Sequence, residues 1–222
     1  MAVSQKLTKE KNVSAKGTTP QVYALAGKRG SGKSTAAEAL AENGFVDVKF
    51  ADPLKNMMRA FYRTCDLDTS TIERKLEGDL KEVACEWLQG KTPRYAMQTL
   101  GTEWRDMIGT KLWADIFVSR IKDMGPNAKV VCSDYRFPGH ETEALDAVGA
   151  TKIKIVRPKP SDNDEYSKHA SEANIDTLPV DMVVNNTGTI ADLQEWILGL
   201  IEAREILRDH GVLDAIASRA SA

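Results

Sequence analysis

GKRGSGKST, residues Gly27 to Thr35, follows the apolar run VYALA (22–26) and leads into AAEALAENG (36–44). Gly27, four residues, and then Gly32-Lys33-Ser34 satisfy the spacing G-x-x-x-x-G-K-[ST]. The chemistry of a phosphate cradle needs this spacing. Gly27, Gly30 and Gly32 let the backbone wrap with its amides turned inward, where side chains would block it. The helix that follows adds unpaired N–H groups and the positive end of its dipole. Lys33 has the length to reach β- and γ-phosphates, and the Ser34 hydroxyl suits Mg²⁺. Ser31 and Thr35 complete the wall. A strand before the stretch and a helix after it favour a nucleotide phosphate site over an ordinary glycine-rich turn.

Outward from this stretch, strands and helices alternate. QVYALAG (21–27) reads as a strand, and the alanine-rich segment to Gly44 as a helix with a C-terminal stop. FVDVKF (45–50) alternates as a second strand. Asp52-Pro53 then opens a helix, with Asp52 as N-cap and proline at the first helical position. A helical block spans about residues 52–124. In it Ile72, Leu76, Leu80, Val83, Ala84 and Trp87 recur at helical spacing. Met97, Leu100, Trp104 and Met107 share one face, and the four tryptophans, Trp87, Trp104, Trp113 and Trp196, are expected in packed cores. AKVVCSD, TKIKIVRP and VDMVVNN supply three further strands, and TIADLQEWILGLIEAREIL a final helix. The polar stretch at 158–174 reads as a long functional loop.

This order predicts an α/β fold of the P-loop NTPase type: a parallel sheet flanked by helices, with a helical substrate-binding region and a lid loop. Its expected extent is 21–208, with tails at 1–20 and 209–222. Right-handed crossovers would bring Gly27–Thr35, Asp52, Asp134 and Asn185–Asn186 to one sheet edge, where ligands bind in such folds.

Composition narrows the partners. The 222 residues carry a formal charge of -2, which argues against a broad basic face for nucleic acid. No apolar run approaches the ~18 residues of a membrane span. The N-terminus has bases but no apolar core of a secretory signal. Three cysteines without a CxxC pair suit reduced thiols in a cytoplasmic protein.

A phosphate loop alone does not separate kinase from GTPase or motor ATPase. The guanine-reading N-K-x-D is absent, and VVCSD ends in a single Asp134 followed by Tyr135-Arg136. An arginine beside a metal-side aspartate suits a site that neutralises two phosphoryl groups. Arg94, at a helix start after Thr92-Pro93, can offer a bidentate fork to a monophosphate, and a base at a helix N-terminus, which opposes the dipole, suggests a bound anion there. Lys28 and Arg29 sit at the loop tip, where an acceptor phosphate would arrive. Asp52 can orient an acceptor, while Lys55 one turn on reads more often as solvated. Arg157 leads into the polar loop, where His169 and Glu172 follow.

GKRGSGKST, FADPLK, TPRYAMQTLGTEWRD, VVCSDYRFPGHE, GATKIKIVRP, HASE and VVNNTGTIADL stand in the order seen in bacteriophage deoxynucleoside monophosphate kinases, and residues 21–200 resemble that family. The chain departs from its usual pattern at Met97, around His140 and after Trp104. The resemblance implies transfer of a phosphoryl group from ATP, with Mg²⁺ on Ser34 and Asp134, to a deoxynucleoside monophosphate. It implies that Gly30 to Thr35 hold ATP phosphates, and that Asp52, Lys55, Arg94, Gln98 and Arg136 line the monophosphate site. His169 and Glu172 would serve the base or lid region and Arg157 the lid. Lys33, Arg136, Arg94 and Asp52 are the expected catalytic groups, and a homodimer is compatible with the reading. Two other classes fit the phosphate loop: a kinase of a hydroxyl acceptor, such as a nucleoside or dephospho-coenzyme-A kinase, with Asp52 as general base, and a non-catalytic ATP sensor.

Overall fold

The structure is a computed structural model and describes residues 19–158 and 174–210. In chain order it comprises β1 (Gln21–Ala26), α1 (Lys33–Glu42), β2 (Val46–Asp47), α2 (Asp52–Thr64), α3 (Thr69–Leu76), α4 (Pro93–Thr99), α5 (Arg105–Ile108), α6 (Leu112–Asp123), β3 (Lys129–Cys132), α7 (His140–Ala147), β4 (Thr151–Val156), β5 (Met182–Asn185) and α8 (Ile190–Asp209). The five strands form one sheet in the order β2-β3-β1-β4-β5, and every neighbouring pair is parallel.

β1 is buried on both faces because it lies at the centre. Val22, Ala24 and Ala26 point to one side, where Phe117 and Ile121 of α6 and Leu145 of α7 cover them. Tyr23 and Leu25 point to the other, against Ala36 and Leu40 of α1 and Leu193 and Ile197 of α8. The near-continuous apolar runs of the strands are thus the signature of a parallel sheet with helices on both faces. A third core belongs to the helical block: Leu54, Met58 and Tyr62 of α2 pack with Ile72 and Leu76 of α3, with Cys85 and with Met97 of α4. The three cysteines are free thiols.

Local details depart from the pattern-based expectations. The second strand pairs only at Val46–Asp47, with one further bond from the Val48 amide to the Val131 carbonyl (2.8 Å). It is an edge strand, and its buried positions are Phe45, Val48 and Phe50, which do not alternate. Asp52 is not an N-cap. Ala51 holds that position, and the Asp52 carboxylate turns backward to accept the Lys49 amide at 2.9 Å.

The helix expected beyond residue 76 stops at Leu76. Gly78 turns extended there (φ -108°, ψ -153°), and two short 3₁₀ turns at 79–82 and 86–88 follow. Val83 and Trp87 are therefore exposed, and Cys85 enters the core instead.

Leu100–Trp104 forms a π turn. The extra residue in that turn rotates everything after it, so Trp104 and Met107 leave the face of Met97 and are exposed. Trp196 is exposed too, whereas Trp113 packs against the block core and donates its indole N–H to the Gly101 carbonyl at 3.0 Å. Among the described helices none is long and apolar enough to cross a membrane. The expected lid at 158–174 and both expected tails fall almost wholly outside the described residues.

Leu76 is fully buried at the centre of the block core. Leu76→Ala is expected to lower stability by about 2–5 kcal/mol, measured by urea denaturation. A loss well under ~1 kcal/mol would mean that α3 contributes little to that core.

Candidate functional site

The turn after β1 has no space for side chains. A Cβ on Gly27 would lie 2.5 Å from the Ile155 carbonyl oxygen and 2.5 Å from Ser31 Oγ. One on Gly32, which sits at φ +107°, would lie 2.7 Å from Asn186 Nδ2 and 2.7 Å from Leu193. Asn186, buried at the end of β5, donates from Nδ2 to the Ser31 carbonyl at 2.9 Å and so braces the loop from beneath. Ser31 is buried, and its hydroxyl has no hydrogen-bond partner among the described residues.

α1 begins at Lys33 with Gly32 as N-cap and no side-chain cap on its first amides. The Lys33 ammonium crosses the loop, donating to the carbonyls of Gly27 and Lys28. Ser34 is exposed and Thr35 half-buried on the first turn, and Gly30 and Arg29 are exposed at the tip. A glycine-bounded cradle, an orphaned buried hydroxyl and uncapped helix amides fit a chain of phosphates.

Lys28 turns away from the β2 side. Its ammonium pairs with Asp176 at 2.9 Å, and Lys154 reaches the same carboxylate at 3.5 Å.

The ends of β2 and β3 form the opposite wall. Asp134, two residues past β3, accepts the Phe50 amide on one oxygen and the Ala51 amide on the other, each at 3.0 Å. The Cys132 thiol lies 3.4 Å from the first oxygen, and burial pushes the Asp134 carboxyl above the usual carboxylate range. Oδ1 accepts both the Phe50 amide and the Cys132 thiol, while Oδ2 meets the Ala51 amide and keeps a second lone pair that suits a hydrated cation. Asp52 is held on its other flank by Arg120 of α6, whose Nη1 donates to the same oxygen at 2.9 Å. Asp47 fixes Ser133 through its hydroxyl (2.7 Å) and amide (3.2 Å).

Four cations gather beside this wall. Lys55 is buried rather than solvated, and its ammonium pairs with Glu77. Arg94 stands on the first turn of α4, which Thr92 caps through the Tyr95 amide (3.1 Å), and its Nε pairs with Glu82. Lys81, on the turn between α3 and α4, is lowered from the usual lysine range, first by burial and then by the charges of Lys55 and Arg94, with a smaller push from Arg136. Arg136 is presented by Glu141, whose Oε2 accepts the amides of Arg136 (2.9 Å) and Phe137 (3.1 Å). Burial, followed by the charge of Asp134, pushes the Glu141 carboxyl up to about 8. Gln98 is exposed one turn beyond Arg94, and Arg157 is exposed past the end of β4. His169 and Glu172 lie outside the described residues.

Arg120, Lys81 and Glu141 belong to this arrangement although the motifs do not single them out. For Glu141 a signal exists in its place five residues after Arg136, in the first turn of α7. Arg120 and Lys81 have none, because Asp52 and the charges around Lys81 lie on other elements. Asn186 follows a strand at the ligand edge, as the order of elements predicts, but its brace beneath Ser31 is visible only in the fold.

The profile of the deoxynucleotide monophosphate kinase family matches residues 64–197. A protein of Acanthamoeba polyphaga mimivirus, provisionally named a deoxynucleotide monophosphate kinase, is 32% identical over 192 residues, spanning 80% of this chain and 94% of its own. Among solved structures, similarity extends to shikimate kinase from Acinetobacter baumannii in complex with shikimate (15% identity, 85% of this chain and 96% of that one, TM-score 0.42). It extends also to dephospho-CoA kinase from Campylobacter jejuni (18% identity, 83% and 97%, TM-score 0.42).

The raised Glu141 has a consequence for stability. From its ordinary value of 4.5 up to about 8 the folded chain keeps a proton that the unfolded chain releases, so stability falls as pH rises through that window. Glu141→Gln should flatten this slope, read as melting temperature against pH. Identical slopes in variant and parent would show that Glu141 ionises normally.

Proposed function

The chain belongs to the deoxynucleotide monophosphate kinase family, and on that premise we propose that it transfers the γ-phosphoryl group of ATP to a deoxynucleoside monophosphate, giving ADP and the diphosphate needed for DNA synthesis. The observation that carries the reading is the presence of two anion-fitting assemblies at one sheet edge. One is the glycine cradle over Lys33 and Ser31. The other is the group of Lys55, Lys81, Arg94 and Arg136 beyond the ends of β2 and β3. The central position of β1, with β3 beside it, puts the second assembly next to the first.

Phosphoryl transfer asks a protein mainly to position two phosphates in line and to stabilise charge on the oxygens between them. Bound ATP, with Mg²⁺, supplies the group that moves and a divalent charge beside it. Lys33 exchanges its loop carbonyls for β- and γ-oxygens. Ser34, through its hydroxyl, and Asp134 would hold the metal beside the phosphates. Gly27, Gly30, Ser31, Gly32 and Thr35 wrap the donor phosphates. Arg94, Lys55 and Arg136 grip the acceptor and damp its repulsion with the donor, while Gln98 and Asp52 orient it.

A hydroxyl-acceptor kinase would need Asp52 as a general base. In Asp52 the oxygen Oδ2 is engaged by both Arg120 and the Lys49 amide, which fixes the carboxylate, and the Asp52→Asn variant separates the two readings. A phosphate acceptor is already ionised and needs no base.

An assay of ADP release across the four deoxy- and four ribonucleoside monophosphates tests the reading. Turnover with at least one deoxynucleotide is expected, and turnover with none of the eight would overturn it. Arg136→Ala should lower kcat by about 10²-fold with little change in the KM for ATP, since its charge acts on the transferring group. Lys33→Ala should be nearly inactive. Asp52→Asn should keep most of its activity, and a near-dead Asp52→Asn would favour the hydroxyl acceptor.

A further inference from the structure

Two of the four acceptor-side cations carry carboxylates of their own chain, Lys55 with Glu77 and Arg94 with Glu82. Lys81 differs. Its side chain makes no ion pair or hydrogen bond among the described residues, although it is partly buried. The charges that act on it are Lys55, Arg94 and Arg136, which repel it, and Glu77, which attracts it. A lysine removed from water among three like charges, with Glu77 as the attracting charge, is stabilised further by a bound anion.

Both carboxylates sit on one short segment. Glu77 ends α3 and Glu82 closes the 3₁₀ turn at 79–82 that also carries Lys81. The segment is braced by bonds from the Gly78 amide to the Arg74 carbonyl (3.1 Å) and from the Lys81 amide to the Gly78 carbonyl (3.3 Å). The Arg74–Asp79 pair, with contacts of 2.9 and 2.6 Å, braces it as well. In the Lys55–Glu77 pair the cation is 10% exposed and the carboxylate 43%. The cation is thus fixed in the block while its partner reaches water. A phosphate carries more charge and more acceptor oxygens than one carboxylate, so it can replace such a partner.

We propose that Lys81 is the fourth cation of the acceptor-phosphate subsite, and that Glu77 and Glu82 are resident counter-ions which the phosphate of the acceptor displaces. The proposal rests on the monophosphate-acceptor reading for the identity of the ligand. The carboxylates hold the cation cluster together in the absence of substrate, and the same pairing weakens acceptor binding because it must be broken.

The test uses the full chain with inorganic phosphate as the probe in thermal melts, alongside the KM values for acceptor and ATP. Glu82→Gln and Glu77→Gln should melt lower than the parent in phosphate-free buffer. Phosphate should restore them, at lower concentrations than the parent needs to respond. Their acceptor KM should fall several-fold with the KM for ATP unchanged. Lys81→Met should raise acceptor KM about tenfold, the loss expected for one charge-assisted contact, with the KM for ATP unchanged and Lys81→Arg restoring most of it.

Carboxylate variants that lose stability without rescue by phosphate, and keep the parent acceptor KM, would show ordinary structural ion pairs and overturn the proposal. An unchanged acceptor KM in Lys81→Met would overturn the role of Lys81. If no monophosphate is turned over by the parent but phosphate rescues Glu82→Gln, the counter-ion exchange stands and the acceptor assignment falls. If deoxynucleotides are turned over and the rescue is missing, the acceptor assignment stands and the exchange falls.

Discussion

The cation-lined wall beyond β2 and β3 depends on one carboxylate, Asp134, and the two backbone amides it satisfies, those of Phe50 and Ala51. β2 pairs with β3 over two residues only, too short a ladder to aim the helix that follows. The aim comes instead from the Asp134 side chain, which anchors the turn into α2 to the end of the neighbouring strand. Buried amides must find partners. An edge strand that ends early leaves two of them to be met by a side chain. Meeting them is costly for Asp134, whose carboxyl is pushed up by burial, so the turn is held by a group that would be easier to ionise in water.

Asp52 and Lys55 on α2 take their positions from this turn. Asp52 lies one residue past Ala51 and reaches back to the Lys49 amide while Arg120 closes on it from α6. Lys55 comes one helical turn later, and its buried stem belongs to the same face as Leu54 and Met58. The block core then carries the geometry onward, through Leu76 to the segment of Lys81 and through Met97 to the helix of Arg94. The glycine loop is built differently. There the backbone itself forms the surface, fixed by steric exclusion at Gly27 and Gly32 and by the Asn186 amide beneath Ser31. One wall is rigid backbone over the sheet core, and the other is a set of long side chains on a separate helical core.

This difference explains which parts can be read from the sequence. The phosphate loop is legible because glycine spacing, lysine and hydroxyl are local, and because the flanking strand and helix have strong periodicities. The parallel sheet is legible because buried strands read as apolar runs between helices. The edge strand is shorter than its pattern suggests, because the turn toward Asp134 follows contacts 83 and 84 residues away in the chain. Asp-Pro at a helix start favours a cap at Asp52, and nothing local says that its side chain turns backward. The π turn at Leu100–Trp104 has no signature in hydrophobic spacing, so the pattern places the face beyond it one rotation away from where it lies. Lys81 and Arg120 look like surface bases in sequence, since their environment is made by other elements.

The formal charge of -2 argues only against a broad basic surface, and the site is consistent with that. Its positive charge is concentrated on four side chains and offset at close range by Glu77 and Glu82. At physiological salt the field of such a compensated cluster is short-ranged, falling off within about 8 Å. Attraction at a distance is then weak. On the proposed reading, selectivity arises after arrival, from whether a ligand can satisfy cations that the burial of Lys55 keeps from turning out to water. A single carboxylate meets one such cation at a time. A phosphate, with three oxygens on one centre, can meet several at once, and on the proposed reading this turns a fixed constellation of side chains into recognition of a chemical group.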